Sequence, residues 1–354
     1  MVRLIPQLTL PASSRLAIIS DLHLADGSHS DLFCGKDALL LQVLESEPKD
    51  CDALVLNGDI FDHQRCPDHG KIERAHAALC RRLRQLARRM PVIFCCGNHD
   101  HRPTIEAAFA DFVFVDALTV GQQICITHGH QFDIHWADGP GSHGAANLHA
   151  RLERLARQPI RQPLRDYDNW ANRVVHRVFF RWTQLLRLYG VVNRALGRNE
   201  PYRHWQRIDN FWARGQWGDI GNVYGEVCDY LPKAPYETLI IGHSHHPGIV
   251  PSGSKTYVNN GSWVFDQATL TRIQDGQITV QDQRSGECYA DEGYRRLFGD
   301  DALPDMAEWF RRYYRPLFRY DLAAINADFP RIHGQRPIRA AEPTPELARL
   351  KEVG

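Results

Sequence analysis

The sequence lacks the markers of several large protein classes. No CxxC pair occurs among its nine cysteines, and two of them, Cys95 and Cys96, are adjacent. An odd count without paired spacing argues against a disulfide framework or a zinc ribbon, and favours a reducing, cytoplasmic compartment. Cys51, Cys95 and Cys125 read instead as small hydrophobes on buried strands. No window approaches about 18 uncharged apolar residues, so no transmembrane helix is expected. The N-terminus has no charged region followed by a long apolar stretch, so no signal peptide is read there. Charge of either sign is not in excess: Lys plus Arg and Asp plus Glu are both 42 in a chain of 354 residues. The overall balance therefore points to neither nucleic acid nor a membrane.

What the chain does have is His, Asp and Asn in six short stretches. They are Asp21-Leu22-His23, Gly58-Asp59-Ile60-Phe61-Asp62, Gly97-Asn98-His99-Asp100, His128-Gly129-His130, Gly242-His243-Ser244-His245-His246 and Asn259-Asn260-Gly261. Each of the first five follows a run of apolar, often β-branched residues, which predicts strands over 15–20, 53–57, 92–96, 123–127 and 237–241. Helical patterns fall at 35–46 and 71–89, the second closed by Pro91. Strand, loop and helix in repeated order predict an α/β sheet of partly parallel order, whose ligands sit beyond the carboxyl ends of the strands. The expectation is carboxylate, amide and imidazole groups at one edge of one sheet. After 256 short alternating strands predict a β meander, forming a second sheet packed on the first.

Such a donor set suits two divalent cations. A phosphodiester or pyrophosphate resists hydrolysis because its charged oxygens repel a nucleophile. Two ions about 3.5–4 Å apart neutralise those oxygens, lower the pKa of a bridging water and hold it in line with phosphorus. A carboxylate must bridge them, and Asp59, in the tight Gly58-Asp59 turn, is the candidate. Asp21 and His23 are two apart, and they are expected to converge on one ion from an irregular loop rather than from a regular strand. The same holds for His243 and His245. Asn98 supplies a neutral oxygen. A single DxH or HxH is more often a polar loop, but five such motifs in order, each after a strand, rarely coincide. The donors suit Mn, Fe, Zn or Co, with Mn2+ as the leading choice.

In this order DxH, GDxxD, GNHD, HGH and GHSHxP resemble the calcineurin-like metallophosphoesterase superfamily, over about residues 15–285 less an insertion. The resemblance implies an α/β fold of two packed mixed β-sheets flanked by helices, a four-layer αββα sandwich. It implies one metal on Asp21, His23, Asp59 and His245, and another on Asp59, Asn98, His128 and His243. His99 would face the leaving group as proton donor or charge stabiliser, and Asp100 would orient it. HGHQFD, the insertion with WTQLLRLYGVVNRALGR, GHSHHP and NNGSWVFD further resemble the branch related to UDP-2,3-diacylglucosamine pyrophosphatase. In that branch HGDQFD and NDGDWVE are common, and the pyrophosphatase's insertion forms a cap that holds acyl chains. This chain differs in carrying His99 where GNRD is usual, His130 where Asp is usual, and an extra C-terminal segment. The implied activity is hydrolysis of a phosphodiester or pyrophosphate bond by in-line attack of a metal-bridging hydroxide, on a nucleotide- or lipid-linked substrate. A phosphomonoesterase, acting on a protein or small metabolite, is the alternative. A nuclease and a non-catalytic binding module are further alternatives; a scaffold would have no need of all seven ligands.

The domain division expected is a catalytic domain over 1–285, including a helical cap insertion at 140–216, and an extension over 286–354. The insertion holds 14 Arg, no Lys and five acidic residues. Val178, Trp182, Leu185, Tyr189, Val192 and Leu196 recur at alternating steps of four and three, an amphipathic helical stripe. Arg177, Arg181, Arg187, Arg194 and Arg198 fall on the opposite side. One reading is a helix packed on the domain with a solvated basic face. Another is a cap or membrane-surface element for an amphiphilic, anionic phosphoester, with residues 178–198 in peripheral contact with the inner membrane face. A third is base stacking on a basic groove, ranked lower because the remaining surface is neutral; no specific nucleic acid is expected.

Overall fold

The apolar runs form short strands buried on both sides. In the computed structural model, residues 4–28, 30–133, 151, 153, 155, 170–206, 223–245, 247–264 and 267–289 are described. Strands β1 (Leu8–Leu10), β6 (Ala117–Val120), β7 (Ile124–Thr127), β8 (Thr238–Ile241), β10 (Lys255–Asn259) and β9 (Gly248–Ser252) form one sheet in that order. The other has the order β12 (Gln277–Asp282), β11 (Thr269–Gln274), β2 (Leu16–Ile19), β3 (Ala53–Asn57), β4 (Val92–Cys95) and β5 (Val113–Val115). Both are mixed: β2 to β5 run parallel, while β11 pairs antiparallel with β2 and with β12.

Successive strand residues point to opposite faces, and here each face has its own core. Leu16, Ile18, Ala53, Val55, Ile93 and Cys95 pack against Leu118, Ile126, Ile240 and Val258 of the other sheet. Their neighbours Ala17, Ile19, Leu54, Leu56, Val92 and Phe94 pack on helices α1 (Asp37–Ser46), α2 (His69–Ala75), α3 (Ala77–Ala87) and α4 (Arg102–Ala108) through Leu40, Leu44, Ile72, Leu79, Leu83 and Ile105. Strands dry on both faces read as continuous apolar runs rather than alternating ones, which is why they stand out in the sequence.

Two expectations are corrected. The segment after 256 forms no sheet of its own. β9 and β10 close one sheet, β11 and β12 extend the other, and Ser262–Val264 of the expected SWVFD strand is not strand. Nor do the ligand motifs lie on one sheet: β2, β3 and β4 belong to one, β7 and β8 to the other. Of the cysteines read as buried on strands, Cys95 and Cys125 are, whereas Cys51 precedes β3 and is half-buried.

The helix expected over 71–89 breaks at His76, whose φ and ψ of −116° and 37° leave the helical region. Its ring sits between two carboxylates, with Nδ1 2.8 Å from Asp37 Oδ1 and Nε2 3.0 Å from Asp31 Oδ2. Asp31 also accepts the backbone N–H groups of Ala25, Gly27 and Phe33. His76 thus anchors the loop that follows the first ligand motif.

The chain divides into two compact units, 1–159 with 217–295 and 160–216 with 296–354. Both sheets belong to the first. In the second, helix α5 (Trp170–Ala195) runs into a further helical stretch at 200–206. The close contact there is at Gly190, where an added Cβ would lie 3.0 Å from Tyr202 Cα. Arg187 lies over the Trp205 ring and Arg194 over Tyr202. The predicted stripe is not the packed face: its six residues are 44–69% exposed, while Gly190 and Asn193 are buried. The remainder of the 140–216 insertion, apart from 151, 153 and 155, lies outside the described residues, as does the 286–354 extension beyond 289. Among the described residues no helix is long and apolar enough to cross a membrane.

Burial opposes protonation of His76, but Asp31 and Asp37 hold its pKa up to about 9, from an ordinary 6.5. A raised folded-state pKa stabilises the fold fully below 6.5, and that contribution is lost as pH rises through about 9. Urea unfolding across this window should show falling stability, and His76→Gln should flatten the fall. An unchanged slope in the variant would remove His76 from the account.

Candidate metal centre

The carboxyl ends of β2, β3, β4, β7 and β8 carry the ligand loops, and backbone geometry gathers their side chains. Asp21, His23, Asp59, His243 and His245 have φ between +49° and +64°. This left-handed region costs a non-glycine residue roughly 1–2 kcal/mol, and it breaks strand alternation. The loops are laced together: Asp21 N–H donates to Gly58 O, His23 N–H to Asp59 O and Gly242 N–H to His128 O, at 2.8–2.9 Å. Neighbouring motifs approach too closely for side chains at two glycines. A Cβ at Gly58 would overlap the His128 ring, and one at Gly97 would overlap the Asp59 carboxylate and amide.

The result is three overlapping donor groups, two of which contain Asp59 and two of which contain His23. Asp21, His23 and His245 bring ligand atoms within 4.8 Å of one another; so do Asp59, His128 and His243; and so do His23, Asp59 and His99. Asp59 Oδ2 lies 3.6 Å from His23 Nε2 and 3.3 Å from His128 Nε2. Asn98 Oδ1 joins the second group, 3.2 Å from His128 Nε2. All seven residues read as ligands are therefore brought together.

These donors fit divalent cations by their hydrogen bonding. His23 Nδ1 faces Asp62 Oδ2 at 3.2 Å, while its buried Nε2 has no hydrogen-bond partner and faces the Asp21 and Asp59 carboxylates. His128 Nδ1 donates to Asn57 O at 2.9 Å, leaving Nε2 for the site. His243 Nε2 is 2.9 Å from Asp133 Oδ2, and its buried Nδ1 has no partner. An outer acceptor that fixes one ring nitrogen and leaves the other for a cation is the usual arrangement around a bound metal.

Charge in the site is tightly balanced. Burial alone would raise the pKa of Asp59, but His128, His99 and His23 hold it well below the usual carboxylate range. Burial would lower His128, yet Asp59 and Asp21 raise it to about 10. The proton shared between them is what a cation would displace. His130, beside His128 and His243, is pushed down to about 3 by burial and then by those two rings.

The sequence model of the calcineurin-like phosphoesterases matches residues 14–274. The chain belongs to this family. It is a metal-dependent phosphoester hydrolase, and the family uses two metal ions. Solved structures that match include the phosphoesterase Yfce from E. coli, 14% identical with a TM-score of 0.37 over 77% of this chain and 96% of that one. A dimetal phosphatase from Danio rerio is 12% identical with a TM-score of 0.36 over 76% and 96%. Neither similarity is high enough to transfer residue roles. No curated protein matches.

In this phosphoesterase His99 faces Asp62, where the sequence reading has Asp100 as the orienting group. His99 Nδ1 is 2.9 Å from Asp62 Oδ1. Asp100 turns beneath the loop and accepts the backbone N–H groups of Asp59, Phe61 and Gly97. Burial and the Asp59 charge push Asp100 up to about 7. Asp62 and Asp133, both inside quoted motifs, are functional positions the sequence reading left without a role; the GDxxD spacing was the available signal for the first. In the sixth stretch Asn259 Nδ2 lies within hydrogen-bond distance of Gly242 O, Ser244 Oγ and Tyr257 OH, propping the His243–His245 loop. His246 lies outside the described residues.

Replacing the shared carboxylate separates this arrangement from a polar cluster. Asp59→Asn should lose at least one ion by elemental analysis and nearly all hydrolysis. Retention of two ions per chain in the variant would show that Asp59 does not hold them.

Proposed function

We propose that the phosphoesterase cleaves a phosphodiester or pyrophosphate bond in an amphiphilic, nucleotide- or lipid-linked substrate, with Mn2+ as the resident ion. The observation that carries the reaction is the pair of donor groups sharing Asp59, with His99 fixed beside them by Asp62. Asp21, His23, Asp59 and His245 would hold one ion, and Asp59, Asn98, His128 and His243 the other. Bound there, two divalent ions supply charge neutralisation at the phosphoryl oxygens and an activated water at neutral pH.

The chain's own residues then orient the ester and move a proton. Burial opposes a charge on His99, but Asp62 and Asp59 raise its pKa to about 9, so the ring carries a proton at neutral pH. Nearby cations act in the opposite sense and bring the loaded enzyme's value down towards the working range. Asp62 keeps Nδ1–H engaged, so the Nε2 proton is the one given to the leaving oxygen. Arg65 binds Asp62 through its backbone N–H and its Nε, and against the burial that would raise it the His99 and His23 rings hold that carboxylate well below its usual range. His99→Ala should keep both ions while kcat falls by roughly 10²–10⁴. The loss should shrink for leaving groups of low pKa, which need little protonation. Loss of metal along with activity would assign His99 to the ligands instead.

Helix α5 supports the substrate class. Val178, Trp182, Leu185, Tyr189, Val192 and Leu196 are exposed, and so are Arg181, Arg187, Arg194 and Arg198. An exposed apolar face with exposed Arg on the other side of the helix suits acyl chains and anionic headgroups, in peripheral contact with the cytoplasmic membrane face. In the domain division proposed here, 1–285 is catalytic, 140–216 is its cap and 286–354 is an extension. Replacing Trp182 and Leu185 by Asp should impair hydrolysis of an acylated nucleoside diphosphate while sparing bis-p-nitrophenyl phosphate. Equal loss on both, with a lower Tm, would return the stripe to a packing role. Faster turnover of p-nitrophenyl phosphate than of the diester would favour the phosphomonoesterase alternative.

A further inference from the structure

His63, which follows the GDIFD motif, grips the loop of the proton donor from two sides. Its backbone N–H donates to His99 O at 3.1 Å, and its ring Nδ1 accepts the backbone N–H of His101 at 3.1 Å. Its neighbour Gln64 donates from Nε2 to Asn98 O at 3.0 Å. Residues 98, 99 and 101 are thus each held by the 63–64 turn.

A backbone N–H can only donate, so Nδ1 of His63 must present a lone pair. Its proton then sits on Nε2, which lies 3.1 Å from His69 Nδ1. That bond fixes the second ring in turn: His69 accepts at Nδ1 and carries its own proton on the buried Nε2, which has no hydrogen-bond partner. The His63 and His69 rings stack at 5.2 Å, and His69 packs edge-on against Phe61 at 5.0 Å. Burial is the main influence lowering both pKa values, that of His63 to about 4. Both shifts run in the sense that a ring accepting a hydrogen bond requires.

We propose that His63 is a positioning residue for phosphoester hydrolysis, holding the Asn98–His101 loop in place through the one tautomer that the His101 N–H requires and His69 accommodates. The inference rests on the reading of His99 as proton donor to the leaving group. His63 touches neither substrate nor metal in this account. It sets where the His99 ring stands relative to Asp62, and a misplacement of about 1 Å in such a group costs on the order of 10²-fold in rate.

The test compares His63→Leu, which removes the acceptor, with His63→Asn, whose Oδ1 can take the place of Nδ1. Both are assayed as metal-loaded full-length enzyme on aryl diesters whose leaving groups span a range of pKa. His63→Leu should lower kcat by about 10–100-fold, with KM and metal content unchanged and the greatest loss on the poorest leaving group. His63→Asn should recover most of that loss. Equal losses in the two variants, a loss indifferent to the leaving group, or loss of metal would overturn the positioning role. A second readout needs no activity: long-range ¹H–¹⁵N spectra of the wild-type chain should show the Nε2–H tautomer at His63 and His69. An Nδ1–H tautomer at His63 would refute the clamp directly. A wild-type enzyme inactive on every diester would instead defeat the proposed function, leaving the tautomer to decide the clamp.

Discussion

The structure depends on keeping one buried carboxylate, that of Asp59, charged. An ionised group taken out of water is costly unless it is paired and hydrogen-bonded. Here the compensation comes from every side. His23 and His128 flank Oδ2, the backbone N–H of His99 donates to Oδ1 at 2.8 Å, and Asp100 accepts the N–H of Asp59 itself. These partners come from three loops and both sheets, so the charge can be stabilised only when the two sheets are packed and in register. Fold and site are in this sense one requirement.

That requirement accounts for the strained backbone. Five non-glycine residues at positive φ are unfavourable individually, and such residues persist where the surroundings over-determine them. The surroundings are visible: hydrogen bonds between loops, glycines where one motif meets the next, and Asn259 beneath the His243–His245 turn. The same bonds set the histidine tautomers, since an acceptor on one ring nitrogen leaves the other for a cation. Second-layer groups such as Asp62, Asn57 O and Asp133 thereby determine what the first layer can bind.

Much of this was legible in the sequence because the chemistry lies at strand ends. Apolar runs buried on both faces announce β2, β3, β4, β7 and β8, and the residues after them are too polar and too alike to be ordinary loops. The irregular geometry at Asp21, His23, His243 and His245 was expected, although a spacing of two does not require it, since residues i and i+2 share one face of a regular strand. Other features were hidden, since they are fixed by contacts remote in sequence. Nothing local says that β7 and β8 leave the sheet of β2 to β4, because parallel strands of either sheet look alike. The break at His76 depends on Asp31 and Asp37, far away in the chain. The contact between His99 and Asp62 reflects a side chain that reaches across loops. The stripe on α5 was correctly periodic, but periodicity reports an apolar face and not what covers it.

The most direct measurement of the central claim is anomalous diffraction from crystals grown with Mn2+. The account predicts two peaks about 3.5–4 Å apart, one on each side of the Asp59 carboxylate, with His23 on one and His128 on the other. A single peak, or two peaks that do not share Asp59, would contradict it.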